Sequence, residues 1–117
     1  MNIGDIFYFD VGYEDDPSEF KKRPVLLLSE DEDNILFMVA TTSRPRNHPF
    51  KWYDHKKIPI NNWRRIGLSK PSWCLAGRLI SLPRAEVEPL VKEEDYIGKI
   101  NQYDFNKIIE AVERLHA

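Results

Sequence analysis

Lys21-Lys22-Arg23-Pro24-Val25-Leu26-Leu27-Leu28-Ser29 runs three cations into a proline and then into an unbroken apolar stretch. Pro24 disfavours the helical region for the residue before it, so Arg23 is expected to be extended, at the point where a loop enters the core. A guanidinium fixed there offers a planar fork of donors to a phosphate or a carboxylate. A second apolar stretch, Ile35 to Ala40, ends in the hydroxyls of Thr41-Thr42-Ser43. If the two stretches are strands joined by the polar turn Glu30 to Asn34, they pair antiparallel. Arg23 and Thr42-Ser43 then fall at the same end of the ladder. A guanidinium and one or two hydroxyls at the edge of a basic face suit phosphodiester chemistry on RNA without a metal. The substrate brings its own nucleophile, the 2′-hydroxyl. The protein aligns it, neutralises the phosphorane charge and moves protons. Arg23 can stabilise charge but stays protonated, so it is a poor base. The proton acceptor stays open among His48, His55 and the acids of the first loop. On the cationic stretch alone, the plain reading of Arg23 is a surface arginine paired with Asp15, Asp16 or Glu19.

The elements that must position these residues follow from the pattern. Ile6 to Val11 is aromatic and β-branched and reads as the first strand. Gly12 to Phe20 is acidic, carries Pro17 and is too long for a tight turn, as functional loops often are. Val25 to Ser29 is the second strand and Ile35 to Ala40 the third. Both are apolar throughout, which predicts burial on both faces. Phe50 to Ile60 suggests one or two short strands, and Asn61 to Pro71 a loop. Trp73 to Ala76 and Arg78 to Leu82 read as a strand or strand pair around Gly77. Arg84 to Val91 suggests a helical turn started by Pro83. Asn101 looks like an N-cap, with Asp104 adding negative charge in the first turn. Phe105, Ile108, Ile109, Val112 and Leu115 form one apolar stripe at helical spacing. Short strands followed by one helix predict a small, strongly bent β-sheet or barrel with a helix against it.

The chain has 117 residues, 42% apolar and 31% charged, which suits one domain with one core. Its net charge of -2 gives no general attraction to nucleic acid. That average hides an asymmetry. Residues 1–20 hold six acids and no Lys or Arg, whereas residues 44–78 hold nine Lys or Arg against one acid, Asp54. Local potential of this kind matters more to a polyanion than net charge does. Cys74 is the only cysteine, which rules out a disulfide within the chain and fits a reducing compartment. There is no secretory signal pattern and no apolar run long enough for a bilayer, so the expected location is cytoplasmic. The three histidines and one cysteine show no zinc spacing, and no glycine-rich phosphate loop follows a strand. No metal or cofactor is expected.

Gly4-Asp5-Ile6, then Lys22-Arg23-Pro24-Val25-Leu26-Leu27-Leu28-Ser29, then Thr42-Ser43 closing an apolar strand, resembles the PemK/MazF toxins, bacterial endoribonucleases of type II toxin–antitoxin pairs. Gly67-Leu68-Ser69-Lys70-Pro71-Ser72 ahead of an apolar strand, and a closing helix, are similar to the later part of a PemK-like branch. The resemblance implies a mainly β fold with α, an SH3-like β-barrel plus C-terminal helix that forms a homodimer. It implies metal-independent cleavage of single-stranded RNA at short sequences, leaving a 2′,3′-cyclic phosphate and a 5′-hydroxyl, and an antitoxin that docks over the site. The family's catalytic arginine falls on Arg23 and its catalytic threonine on Thr42. Lys21, Lys22, Ser43, Arg44, Arg46 and Ser72 are candidate substrate contacts. The acidic loop and the segment Asn47 to Arg65 depart from the family pattern.

Plainer readings stand beside these. Thr42 can be a strand-end hydroxyl bonded to backbone, and each surface lysine or arginine a solvated charge. Trp52, Trp63 and Trp73 are more often core than base-stacking platforms. Cys74 reads as core. A different functional class is a non-catalytic SH3-like module that binds RNA or a protein. A third reading keeps the barrel and acts on a protein target.

Overall fold

Two unbroken apolar strands in a short chain demand cover on both of their faces, and the fold supplies it. A computed structural model describes residues 1–12, 20–42 and 57–116. The elements are β1 (Asp5–Gly12), β2 (Phe20–Glu30), β3 (Ile35–Thr42), β4 (Lys57–Pro59), the one-turn helix α1 (Trp63–Ile66), β5 (Trp73–Leu75), β6 (Ile80–Pro83), α2 (Arg84–Val87), β7 (Tyr96–Lys99) and α3 (Gln102–His116). Single 3₁₀ turns at Glu88–Leu90 and Glu93–Asp95 link α2 to β7.

The strands form one antiparallel sheet in the order β4-β5-β3-β2-β1-β7, with β6 also paired to β3. Among the described residues the two edge strands do not pair, so the sheet is strongly bent but open. Alternation sorts the side chains. Phe7, Phe9 and Val11 of β1, Val25 and Leu27 of β2, and Leu36, Met38 and Ala40 of β3 make one core, closed by Val87 of α2. Ile6, Leu26, Leu28 and Val39 make the other, covered by α3 through Ile108, Ala111 and Val112. The expected helix stripe is therefore core-facing. A bulge between Leu27 and Ser29 bends β2.

Sequence reading and structure differ in several places. β2 begins at Phe20, not Val25, because β1 pairs with the whole cationic stretch: Val11 with Lys21, Asp10 with Lys22, Phe9 with Arg23 and Tyr8 with Pro24. Arg23 thus lies inside a strand rather than at a loop end. α1 occupies part of the expected 61–71 loop. Trp73 to Leu75 and Ile80 to Pro83 are separate strands that both pair with β3 and not with each other.

The expected cap on α3 is present. Asn101 Oδ1 accepts from the Asp104 amide at 2.8 Å. Asp104 itself is 1% exposed. Its carboxylate accepts from the Asn62 amide at 3.0 Å, from Asn61 Nδ2 at 3.3 Å and from Asn101 Nδ2 at 3.2 Å. It thereby ties the start of α3 to the residues that lead into α1. Asp104→Ala strands those donors, which costs about 3 kcal/mol of unfolding free energy. Urea unfolding checks this; a loss below about 0.5 kcal/mol would remove the tie from the account.

Candidate active site

The site arises where the β2–β3 ladder ends. The β2–β3 ladder runs from Glu30↔Leu36 to Val25↔Ala40. Beyond Ala40 β3 has no further rung to β2, and Thr41 and Thr42 pair with Cys74 and Trp73 of β5, which flanks β3 opposite β2 in the strand order. Pro24, which has no N–H to give, stands at that junction. β3 leaves β2 there, and an open groove of about 440 Å³ lies against the parting.

Each wall has a separate origin. β1 contributes Tyr8, β2 contributes Lys22, Arg23 and Pro24, and β3 contributes Thr41 and Thr42. The opposite wall is Leu68, Ser69, Lys70 and Ser72. That wall starts at Gly67, whose φ of 112° closes α1 in the left-handed region that glycine adopts without strain. Leu68 then turns into the core, leaving Ser69 and Lys70 exposed. The Ser72 hydroxyl donates to the Lys70 carbonyl at 2.9 Å, and the Ser72 carbonyl accepts from Ile60 N–H at 3.0 Å. Ser72 is buried and shapes this wall.

Arg23 is half-buried. Its Nη1 donates to the Thr41 carbonyl across the parting at 3.5 Å, a long bond. Arg23 also borders a second cavity of only about 20 Å³, with Val11, Ala40, Leu75, Arg78 and Ile80. Burial lowers the Arg23 pKa from its ordinary value. A guanidinium nevertheless keeps its charge at neutral pH. Lys22 forms an ion pair with Asp95 at 3.1 Å.

Arg23, Thr42, Lys22 and Ser72 of the sequence-derived set therefore border one groove. Lys21 stands opposite Val11 in the same ladder. Ser43, Arg44, Arg46, His48, His55, Trp52 and the acids of the loop after Gly12 lie outside the described residues. Tyr8, Ser69 and Lys70 were not in the set. Lys70 was legible as part of the basic 44–78 segment and of the Gly67–Ser72 motif, and nothing in the sequence singles out Tyr8, which is 37% exposed. Among the described residues, no carboxylate or imidazole lines the groove. His116 is instead at the end of α3, with Nε2 3.1 Å from the Ala76 carbonyl oxygen. Among the described residues, no three His, Cys, Asp or Glu side chains gather as metal ligands, and no helix is long and apolar enough to cross a membrane.

Cys74, the β5 residue paired with Thr41, has no exposed surface. Burial, and after it the charge of Asp104, push its thiol up to about 12. Only the thiolate is nucleophilic. Iodoacetamide at pH 8 is expected to leave the native protein unlabelled and to label it fully in urea; mass spectrometry reads both, and rapid native labelling would contradict the burial.

An open groove with cations and hydroxyls along it can hold an extended polyanion and stabilise charge at one phosphate. Deep, apolar enclosure of the kind that takes small ligands is absent from it. The comparisons agree with this fold. A family model described as the PemK-like, MazF-like toxin of type II toxin-antitoxin system matches residues 2–116. Among solved structures, MazE-MazF (Form-II) from Deinococcus radiodurans matches with a TM-score of 0.66 at 14% identity, covering 99% of this chain and 95% of that one. The Mycobacterium tuberculosis toxin MazF-mt6 matches with a TM-score of 0.59 at 16% identity, covering 94% and 95%. At these identities the structural likeness speaks for the fold alone. No curated protein sequence matches. With a family model spanning nearly its whole length, and a fold shared with two MazF structures, the chain belongs to the PemK/MazF-like toxin family of type II toxin–antitoxin systems.

Proposed function

We propose that this chain is the toxin of a type II toxin–antitoxin pair and acts as a metal-independent, sequence-selective endoribonuclease on single-stranded RNA. The observation that carries the reading is that Arg23 and Thr42, remote in sequence, border the same open groove beside Lys22 and Lys70. In this reading the 2′-oxygen of the substrate attacks the adjacent phosphorus. The bond to the 5′-oxygen breaks, leaving a 2′,3′-cyclic phosphate and a 5′-hydroxyl. The 2′-hydroxyl loses a proton and the departing 5′-oxygen gains one. Arg23 offsets charge building on the phosphoryl oxygens, and the Thr42 hydroxyl holds the phosphate in register. Lys22 and Lys70 bind flanking phosphates. A homodimer and a cognate antitoxin that covers the groove belong to the same reading, which draws on family membership and on a structural neighbour described as MazE-MazF.

The test is incubation of wild type and Arg23→Ala with a long single-stranded RNA in EDTA, with products mapped by primer extension. Discrete cuts by wild type alone support the proposal and give the recognised motif. Retained RNA binding without cuts by either protein overturns it in favour of a non-catalytic module. A monomer at micromolar concentration in sedimentation would contradict the dimer.

A further inference from the structure

Lys22 borders the groove, yet its charge is already answered. Its ammonium sits 3.1 Å from Asp95 Oδ1. The two partners differ in freedom. The Lys22 side chain is 54% exposed and that of Asp95 is 9%. Asp95 is also held through its second oxygen, which accepts the Lys92 amide at 3.0 Å and so caps the 3₁₀ turn before β7. These two bonds, the Lys92 amide first and Lys22 second, hold its carboxyl below the ordinary carboxylate range, so it is ionised at neutral pH. Asp95 does not itself line the groove. Asp10 is Lys22's neighbour across the β1–β2 ladder, while the ammonium's bond goes to the other end of the chain.

We propose that Asp95 is a fixed internal competitor for the RNA backbone at Lys22, a specificity-determining residue that sets how tightly the groove holds phosphate. The inference rests on the RNA-cleaving reading above. The lysine stem is long and exposed, so the ammonium can turn from Asp95 to a phosphate, whereas Asp95 is anchored and cannot follow. The pair adds no net charge to the groove in the free protein. An RNA phosphate binds Lys22 only by outcompeting a carboxylate already in place. A phosphate that lies close enough to take the ammonium gains the contact; a poorly placed one meets a neutral rim. Asp95 thus lowers general affinity for polyanions and leaves the reacting centre untouched.

Charge alone orders the variants. Asp95→Asn keeps an oxygen for the Lys92 amide and releases one positive charge to the groove. Lys22→Ala leaves one uncompensated negative charge. The double variant is neutral, like wild type. Affinity for a 2′-O-methyl oligonucleotide of mixed sequence, which lacks the nucleophile and cannot be cleaved, is measured by anisotropy across a salt series. Asp95→Asn is expected to bind about fivefold tighter at 0.1 M salt, with a log–log salt slope steeper by about 0.7, the value for one further phosphate neutralised on a single strand. Lys22→Ala binds more weakly than wild type, and the double variant recovers only part of that loss, because the phosphate contact of Lys22 is gone. In cleavage of long RNA, Asp95→Asn lowers KM and leaves kcat unchanged, the mark of uniform binding. A purely structural role for Asp95 would lower thermal stability without steepening the salt slope. Wild-type binding with an unchanged slope in Asp95→Asn overturns this inference and spares the RNA reading. Absence of oligonucleotide binding and of RNA cleavage in wild type overturns both.

Discussion

Arg23→Ala is expected to lower the rate of RNA cleavage by roughly 10²–10³-fold, the loss typical of one donor aimed at developing charge. On the proposed reading the effect belongs to chemistry rather than to folding. Arg23 is half-buried at the parting of β2 and β3, and its bond to the Thr41 carbonyl is long at 3.5 Å. Its ladder partner Phe9 sits in the core through its own side chain. Truncation at Cβ keeps that ladder, and stability shifts by less than about 1 kcal/mol. Arg23→Lys restores a charge but not the planar fork, and its recovery is partial. Single-turnover cleavage together with urea unfolding separates the two readouts. An alanine variant that folds normally and cleaves at the wild-type rate would falsify the role of Arg23.

The second large effect lies away from the groove. Gly98 of β7 pairs with Ile6 of β1, and a methyl group on it would overlap the carbonyl oxygen of Ile66 at the end of α1. The obstacle is backbone, so no rotamer change relieves it. Either β7 leaves β1 or α1 moves off the sheet. Gly98→Ala is expected to cost about 3 kcal/mol, the upper end of overpacking in a close-packed interior. Because α1 leads through Gly67 directly into Leu68–Ser72, the surviving folded fraction carries a displaced groove wall. Its cleavage rate per folded molecule falls as well. Denaturant unfolding and active-site titration with RNA check both parts; a loss below about 1 kcal/mol would show that α1 yields freely.

The sequence made some of this legible. Strands buried on both faces announced themselves as unbroken apolar runs at Val25–Leu28 and Ile35–Ala40. α3 was visible from its stripe and from Asn101. β7 was invisible: Tyr-Ile-Gly-Lys is four residues with no alternation, and it is a strand only because β1 offers it an edge. α1 is a single turn, too short to show a period. The start of β2 was misplaced because three cations and a proline resemble a loop until β1 is laid beside them. For the groove, Arg23 and Thr42 could be brought together by hairpin logic, since they belong to adjacent strands. Tyr8 and the Leu68–Ser72 wall come from elements whose placement depends on the whole sheet, so no local pattern could group them. The Ser72 hydroxyl, a candidate contact on sequence, is turned to its own loop.

The make-up of the groove also orders events during synthesis. Arg23 and Thr42 both leave the ribosome early, yet Thr41 and Thr42 gain ladder partners of their own only once β5 has followed. A nascent chain that ends before Trp73 holds both residues but lacks the strand that pairs with Thr41 and Thr42. Lys70 and Ser72 have no wall to stand in until Gly67 has closed α1 and β7 has docked beneath it. The groove is thus one of the last features the growing chain can assemble, and it stays unformed while the protein is still being made.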